Sequence, residues 1–224
     1  PCWTNSDHAA EMKTEVNTMI QAGIIGATGY AGLELVRLLL RHPQVEVAAV
    51  SSVSFEGQAL ADVYPSLNEI TSLLCTTAEE VIQKGDVIFA ALPHGLSQDT
   101  AAACAAQGKK FIDLGADFRL DDMDTYAHWY GCEPQYPELH EQAVYGLCEL
   151  FREDIRKTTV IGNPGCYPTS VALGLAPALR EGLVSPAGIV VDSKSGTTGA
   201  GRKPTQTTHF PDCNEGFSAY KVAS

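Results

Sequence analysis

Two glycine-bracketed turns hold the residue types that could do chemistry. The first is Gly162-Asn-Pro-Gly-Cys166-Tyr-Pro-Thr169. Pro168 suits the first turn of a helix, which would set the Cys166 sulfur near a helix N-terminus, where peptide dipoles favour a thiolate. Gly165 removes a side chain beside it and opens an approach for a carbonyl carbon, so Cys166 has the setting of a nucleophile. Read alone, the same cysteine serves equally well as a small residue filling a turn, the reading given to Cys75, Cys104, Cys132, Cys148 and Cys213.

The second turn is Gly26-Ala-Thr-Gly29-Tyr-Ala-Gly32, between an apolar segment and a helical pattern. Gly26 and Gly29 let the backbone turn tightly and approach a pyrophosphate, Gly32 lets the helix pack on the strand, and the helix N-terminus supplies amide donors. With Thr28, Tyr30 and Ala31 they form a candidate dinucleotide site, the alternative being a plain strand-to-helix turn. Where an NAD-specific site places Asp or Glu, about twenty residues on, the chain reads Val50-Ser51-Ser52-Val53-Ser54. A carboxylate would repel a 2′-phosphate and hydroxyls can donate to it, so Ser51 and Ser52 turn the reading towards NADP(H). No Arg or Lys stands beside them in sequence, and a polar strand end is the alternative. Leu92 and Pro93 follow a third apolar run and would flank the cofactor, because ligands of open parallel sheets sit beyond the carboxyl ends of the strands. His94, next in line, reads as a hydrogen-bonding loop residue outside the chemistry.

Positioning these turns requires a regular alternation of elements. Ile20 to Val50 has the length and order of one βαβ unit: an apolar segment to Ile25, a helix from Tyr30 to His42 with Leu33, Val36, Leu39 and Leu40 at helical spacing, a stop at Pro43, and a strand at Val45 to Val50. Helices are expected at Ala78 to Lys84 and Ser97 to Gln107, and strands at Val87 to Ala91 and Lys110 to Leu114. Continuous apolar strands between amphipathic helices predict an α/β fold with a Rossmann-type parallel sheet covered on both faces. Residues 121 to 150 show little periodicity and read as loops and short elements linking two domains. A strand at Thr159 to Ile161, a helix from Pro168 and a strong strand at Gly188 to Ser193 then open a second unit. The expected division is a tail at 1–18 without helix or strand period, a nucleotide-binding domain at 19–160, and the first part of a catalytic domain at 161–224.

Composition narrows the partners. Fifteen Lys+Arg against 27 Asp+Glu leave a formal charge of -12, which excludes counterion release as a basis for binding nucleic acid or an anionic membrane. An acidic ligand then needs a locally basic pocket. Seven cysteines without C-x-x-C spacing argue against a disulfide framework or a structural zinc site and favour a reducing, cytoplasmic setting. The longest apolar run, Val87 to Pro93, is too short to span a bilayer, and the N-terminus has no basic segment followed by an apolar one.

Four motifs occur in order: the Gly26 to Gly32 loop, Leu114-Gly-Ala-Asp-Phe-Arg-Leu120, the Cys166 loop, and Asp192-Ser-Lys-Ser-Gly-Thr-Thr-Gly-Ala-Gly-Arg202. Together they resemble the N-acetyl-gamma-glutamyl-phosphate reductase family, within the wider semialdehyde dehydrogenases, from about Ile20 to Val222. The resemblance implies an incomplete α+β catalytic and dimerisation domain after the Rossmann-like one. It also implies an oxidoreductase of arginine biosynthesis in which Cys166 attacks an acyl phosphate, phosphate leaves, and the thioester accepts hydride from NADPH to give N-acetylglutamate semialdehyde. An acidic substrate then makes Arg119, Lys194 and Arg202 candidate substrate-binding cations, with Lys203 a solvent-facing addition and Asn163 a group orienting the acyl chain. Arg119 has an alternative as ion-pair partner of Asp117 or Asp121. Ser195 and Gly196 would close over the nicotinamide end, with a plain surface loop as the alternative.

The family continues past Ala219-Tyr-Lys-Val222 into a motif with an acid/base histidine. This chain ends at Ser224, and His209, upstream of Tyr220, is out of register with that position. The expectation is a C-terminally incomplete chain that binds NADPH and turns over poorly, the full-length form being a homo-oligomer. Competing expectations are an acyl-phosphate reductase of lysine biosynthesis acting on carrier-linked aminoadipyl phosphate, and a non-catalytic NADP-binding module. Aspartate-semialdehyde dehydrogenase fits less well because its cysteine motif lacks the Gly-Cys-Tyr-Pro-Thr arrangement.

Overall fold

The computed structural model describes residues 19–131 and 133–220, so the expected tail at 1–18 and Cys132 lie outside the described residues. Strand β1, Ile20–Ile25, buries both faces from Ala22 onward, as a central parallel strand must. Helix α1, Tyr30–Leu39, ends three residues before the expected His42. Pro43 disfavours helical backbone at the residue before it, and the last turn tightens into Arg41 N–H to Leu38 and His42 N–H to Leu39 bonds. Strand β2 follows at Val45–Ser51, then a short helix α2 at Leu60–Val63 and a two-residue strand β3, Cys75–Thr76.

Helix α3, Ala78–Lys84, is started by Thr77, whose hydroxyl accepts from Glu80 N–H. Strand β4 is Val87–Ala90, α4 is Gln98–Ala106 and β5 is Lys110–Asp113, each within a residue of its expected bounds. The sheet runs β3-β2-β1-β4-β5, then the strand β7, Val160–Gly162, then β6, Val144–Tyr145, with every paired strand parallel. The chain reverses its direction of progress between β1 and β4, the point beside which ligands of such sheets bind.

Alternation along the strands sorts the core into two layers. Ile24, Val36, Val50 and Leu60 pack on one face beneath α1 and α2, while Ile25, Ala49, Val81, Ile88 and Phe111 pack on the other beneath α3 and α4.

Two expectations need correction and one is met: residues 121 to 150 hold short elements, α5 at Met123–Tyr130, α6 at Pro137–Gln142 and β6, followed by α7 at Cys148–Ile155. Each is too short to print a period. Their boundaries are chemical instead: Asp122 accepts from Thr125 N–H at 2.7 Å, Gly131 takes a left-handed φ of 69°, and Pro137 opens α6. Because β6 pairs with β7 and β7 with β5, this stretch and the strand across which the expected boundary falls complete the first sheet. The expected strand at Gly188 to Ser193 is irregular chain, with Val190 90% exposed. Its β-branched residues are right for a strand, but no segment among the described residues pairs with them. Among the described residues, the segment after α8, Cys166–Arg180, otherwise carries only short helical turns, including α9 at Phe210–Cys213.

Among the described residues no helix is long and apolar enough to cross a membrane, and no group of three or more His, Cys, Asp or Glu is placed to hold a metal ion.

Candidate functional site

The three glycines of the first turn differ in what demands them. Gly26 has φ 83°, and a Cβ there would stand 2.4 Å from the Ala91 carbonyl oxygen; at Gly32 it would stand 2.2 Å from the Gly26 oxygen. Both are required by the approach of one backbone to another. A Cβ on Gly29 would meet only the Gly26 oxygen, at 3.5 Å, so its open side is not needed by the protein and leaves a cradle for a ligand. Helix α1 begins there with no side-chain cap and no acidic residue in its first turn, leaving the amides at Tyr30, Ala31 and Gly32 for an anion. The residues present fit the pyrophosphate of a dinucleotide.

The loop is fixed from behind. Gly26 and Ala27 N–H donate to the Ser51 carbonyl at 3.1 and 3.0 Å, and the Thr28 and Ser52 hydroxyls lie 2.6 Å apart. Ser51 and Ser52 are each 5% exposed. The Ser52 hydroxyl therefore braces the loop, and the outward-facing residues at this strand end are Val53 and Ser54. The Thr28 carbonyl accepts from Tyr64 Oη at 2.7 Å and from Arg202 Nη1 at 3.0 Å.

Beyond β4, Leu92 is half-buried and Pro93 exposed at the neighbouring sheet end. Behind them lies a polar network that the sequence reading passed over. Asp117, fully buried, accepts from Gly95 N–H at 2.7 Å and Ser97 N–H at 2.9 Å, and its carboxylate is 2.5 Å from His94 Nδ1. Asp113, also buried, accepts from Ser97 Oγ at 2.7 Å, Gly115 N–H at 2.9 Å and Asp117 N–H at 3.0 Å. Burial holds its carboxyl above the usual range. His94 stacks on Tyr130 with ring centres 4.1 Å apart. The turns after β4 and β5 are thus locked to each other. The pairing of Ala-Leu-Pro-His-Gly with Asp-Leu-Gly-Ala-Asp at adjacent sheet ends was the available signal.

With Asp117 occupied by the β4 turn, Arg119 turns the other way. Its Nε donates to the Asn163 carbonyl at 2.8 Å and its Nη2 to the Leu114 carbonyl at 3.3 Å, bridging the turns after β5 and β7. A Cβ on Gly165 would come within 3.3 Å of Arg119 Nη1, so the guanidinium lies directly against the cysteine turn. A Cβ on Gly162 would collide with the Phe118 oxygen at 2.0 Å, which shows how closely that turn is drawn onto the β5 loop. Asn163 N–H donates to the Asp113 carbonyl at 2.8 Å, and its side-chain amide to the Pro164 carbonyl at 3.2 Å.

Helix α8 begins at Cys166, two residues before the expected Pro168, so the nucleophile candidate is itself the first helical residue. Gly165 is its N-cap, without a side-chain bond and without acidic residues in the first turn. Cys166 is exposed, whereas Cys75 and Cys104 are buried in the core and burial pushes the Cys104 thiol up to about 12. Cys148 is exposed and does not fill a turn as expected. The Tyr167 and Tyr220 hydroxyls are 2.5 Å apart; their hydrogen bond holds Tyr220 above the ordinary tyrosine range, with Cys166 a smaller contributor from close by.

The remaining candidate cations are not gathered at the cysteine. Lys194 is exposed and paired with Asp192 at 2.6 Å, and Lys203 is exposed. Arg202, expected beside the substrate, instead reaches the nucleotide loop. Ser195 and Gly196 are exposed; the turn that follows them brings Thr197, Thr198 and Gly201 against Tyr30 across a cleft of about 100 Å³. His209 faces solvent near Asp212, at 3.7 Å.

A family profile described as "Semialdehyde dehydrogenase, NAD binding domain" matches residues 21–158, and one described as "Semialdehyde dehydrogenase, dimerisation domain" matches residues 166–224. The chain belongs to the semialdehyde dehydrogenase family. Among curated relatives, N-acetyl-gamma-glutamyl-phosphate reductase of Clostridium botulinum (strain Eklund 17B / Type B) is 55% identical over 204 residues, covering 91% of this chain and 59% of the relative. The protein of the same name from Moorella thermoacetica is 51% identical over 208 residues, covering 92% and 60%. The chain spans about three fifths of the length of these relatives. Two solved structures share the fold: aspartate semialdehyde dehydrogenase with NADP from Candida albicans (TM-score 0.53, 16% identity, 73% of this chain and 47% of that one) and aspartate semialdehyde dehydrogenase II from Vibrio cholerae (0.55, 20%, 72% and 47%).

Proposed function

We propose that this chain carries the dinucleotide site and the nucleophile of a cytoplasmic NADPH-dependent reductase that converts N-acetyl-gamma-glutamyl phosphate to N-acetylglutamate semialdehyde in arginine biosynthesis. The observation that carries the reading is the placement of exposed Cys166 at the uncapped start of α8, against the Arg119 guanidinium, on the same sheet edge as the Gly26 to Gly32 loop. Three strand spacings of about 4.8 Å separate β1 from β7, and a dinucleotide held at the start of α1 would be long enough to reach the cysteine turn.

In this reading the Cys166 sulfur bonds to the acyl carbon, the carbon–oxygen bond to phosphate breaks, and phosphate leaves with the electron pair. The amides that open α8 face the oxygen on which charge develops, and Arg119 supplies a cation to the departing phosphate. When bound, NADPH would supply the hydride that reduces the thioester to the aldehyde and returns the sulfur as thiolate. Gly26, Thr28, Gly29, Tyr30, Ala31 and Gly32 would hold the cofactor, with Leu92, Pro93, Ser195 and Gly196 towards its nicotinamide end. Asn163 orients the acyl group. The absence of an acidic residue from Ser51 to Ser54 supports NADP(H) over NAD(H). The 166–224 match supports assembly into a homo-oligomer.

Incubation of the chain with N-acetyl-gamma-glutamyl phosphate, followed by intact-mass analysis, tests the nucleophile. One acyl adduct that maps to Cys166 and vanishes in Cys166→Ser is expected. An adduct spread over several thiols, or none, would overturn the assignment.

A further inference from the structure

The strand end that should receive the 2′-phosphate of NADPH has no cation of its own. Between Arg41 and Lys84 the sequence contains no Lys or Arg, while Glu56 and Asp62 lie close by in sequence. The fold brings one from 140 residues or more downstream. Arg202 Nη1 donates to the Thr28 carbonyl at 3.0 Å, and its guanidinium carbon lies 5.3 Å from the Phe55 ring centre and 5.2 Å from that of Tyr64. Phe55 belongs to the turn directly after Ser51 to Ser54, and Thr28 is bonded to Ser52.

We infer that Arg202 is a specificity-determining residue that reads the 2′-phosphate of the dinucleotide. This rests on the proposed dinucleotide site. Three independent contacts fix the guanidinium at the junction of the pyrophosphate loop and the end of β2, where the adenosine ribose of a bound dinucleotide belongs. Contact with two aromatic rings orients a planar cation while leaving its in-plane donors available, and the Thr28 carbonyl takes only one of five N–H groups. The rigid fork that remains matches a phosphate better than a lysine ammonium would. It supplies what Ser51 and Ser52, buried and partly committed to the loop, do not. An arginine that merely latched its segment to the loop would affect the two cofactors alike, whereas a 2′-phosphate reader affects only the one that carries the group.

The test is equilibrium binding of NADPH and NADH to the full chain and to Arg202→Gln and Arg202→Lys, with 2′,5′-ADP as a competing probe. Arg202→Gln should weaken NADPH and 2′,5′-ADP by about tenfold or more, the scale of one lost charge-assisted phosphate contact, and change NADH by less than about twofold. Arg202→Lys should fall between. Equal weakening of NADPH and NADH in both variants, or an unchanged ratio, would overturn the inference in favour of a latch. Failure of the unaltered chain to bind either cofactor would instead overturn the dinucleotide site itself.

Discussion

Ile20–Ile25, with three isoleucines, and Ile189 to Val191, all β-branched, both carry strand-favouring residues, and they have opposite fates. In β1, Ile24 is 0% exposed, between β2 and β4 and beneath α1. In the later run, Ile189, Val190 and Val191 are 42%, 90% and 52% exposed, with no strand geometry. A strand is a property of a pair: its backbone groups need a neighbour, and its side chains need a layer to bury against. The first region supplies both within the chain. The second supplies neither among the described residues. The Gly26 to Gly32 loop and Arg119 belong to the first region, Cys166 stands where α8 leaves its sheet, and Arg202 comes from the second to meet the first.

That contrast can be broken or sharpened by substitution. Gly32→Ala places a Cβ 2.2 Å from backbone and should cost about 1–3 kcal/mol of unfolding free energy. Gly196→Ala meets nothing within 4 Å and should stay within about 0.5 kcal/mol. Denaturant melts of the two variants measure the difference, and equal losses would mean that the second region is as tightly built as the first.

A smaller effect is expected from His140, which is 1% exposed, stacks on Phe118 and shares Gln98 with Gln135. Burial holds it below its ordinary value of 6.5. Below that pH the unfolded chain binds a proton that the folded chain resists, so stability contributed by neutral His140 is complete above pH 6.5 and declines as pH falls towards its folded value. Thermal midpoints measured from pH 7.5 down to about 5.5 should drop, and His140→Gln should flatten that drop. A slope that the substitution leaves unchanged would place the acid sensitivity elsewhere.

The smallest effect on folding belongs to Val190→Ser. At 90% exposure it should move the unfolding free energy by less than about 0.5 kcal/mol. Sedimentation should show weaker self-association if this apolar run is an assembly surface.

Much of the first sheet and its helices was legible from sequence. Apolar residues at helical spacing placed α1, and the alternation of apolar strands with helical stretches placed α3 and α4. The glycine loop announced itself because Gly26 and Gly32 answer local backbone contacts, and Cys166 because glycine and proline flank it. The short elements between 121 and 150 were expected only as a group, and their individual bounds were not legible, since these depend on local caps and on burying Tyr126, Leu139 and His140 in the fold.

Residue chemistry alone determined the two turns and the parallel α/β sheet, because these follow from local backbone demands and alternation. Only the tertiary structure decided which cation meets which turn. Arg119 went to the cysteine turn because Asp117 was already taken by the β4 turn, and Arg202 went to the nucleotide loop, 174 residues away, because two aromatic rings and a carbonyl hold it there. Long-range electrostatic partners are chosen by where the folded chain places competing donors and acceptors, and that competition leaves no trace in sequence spacing.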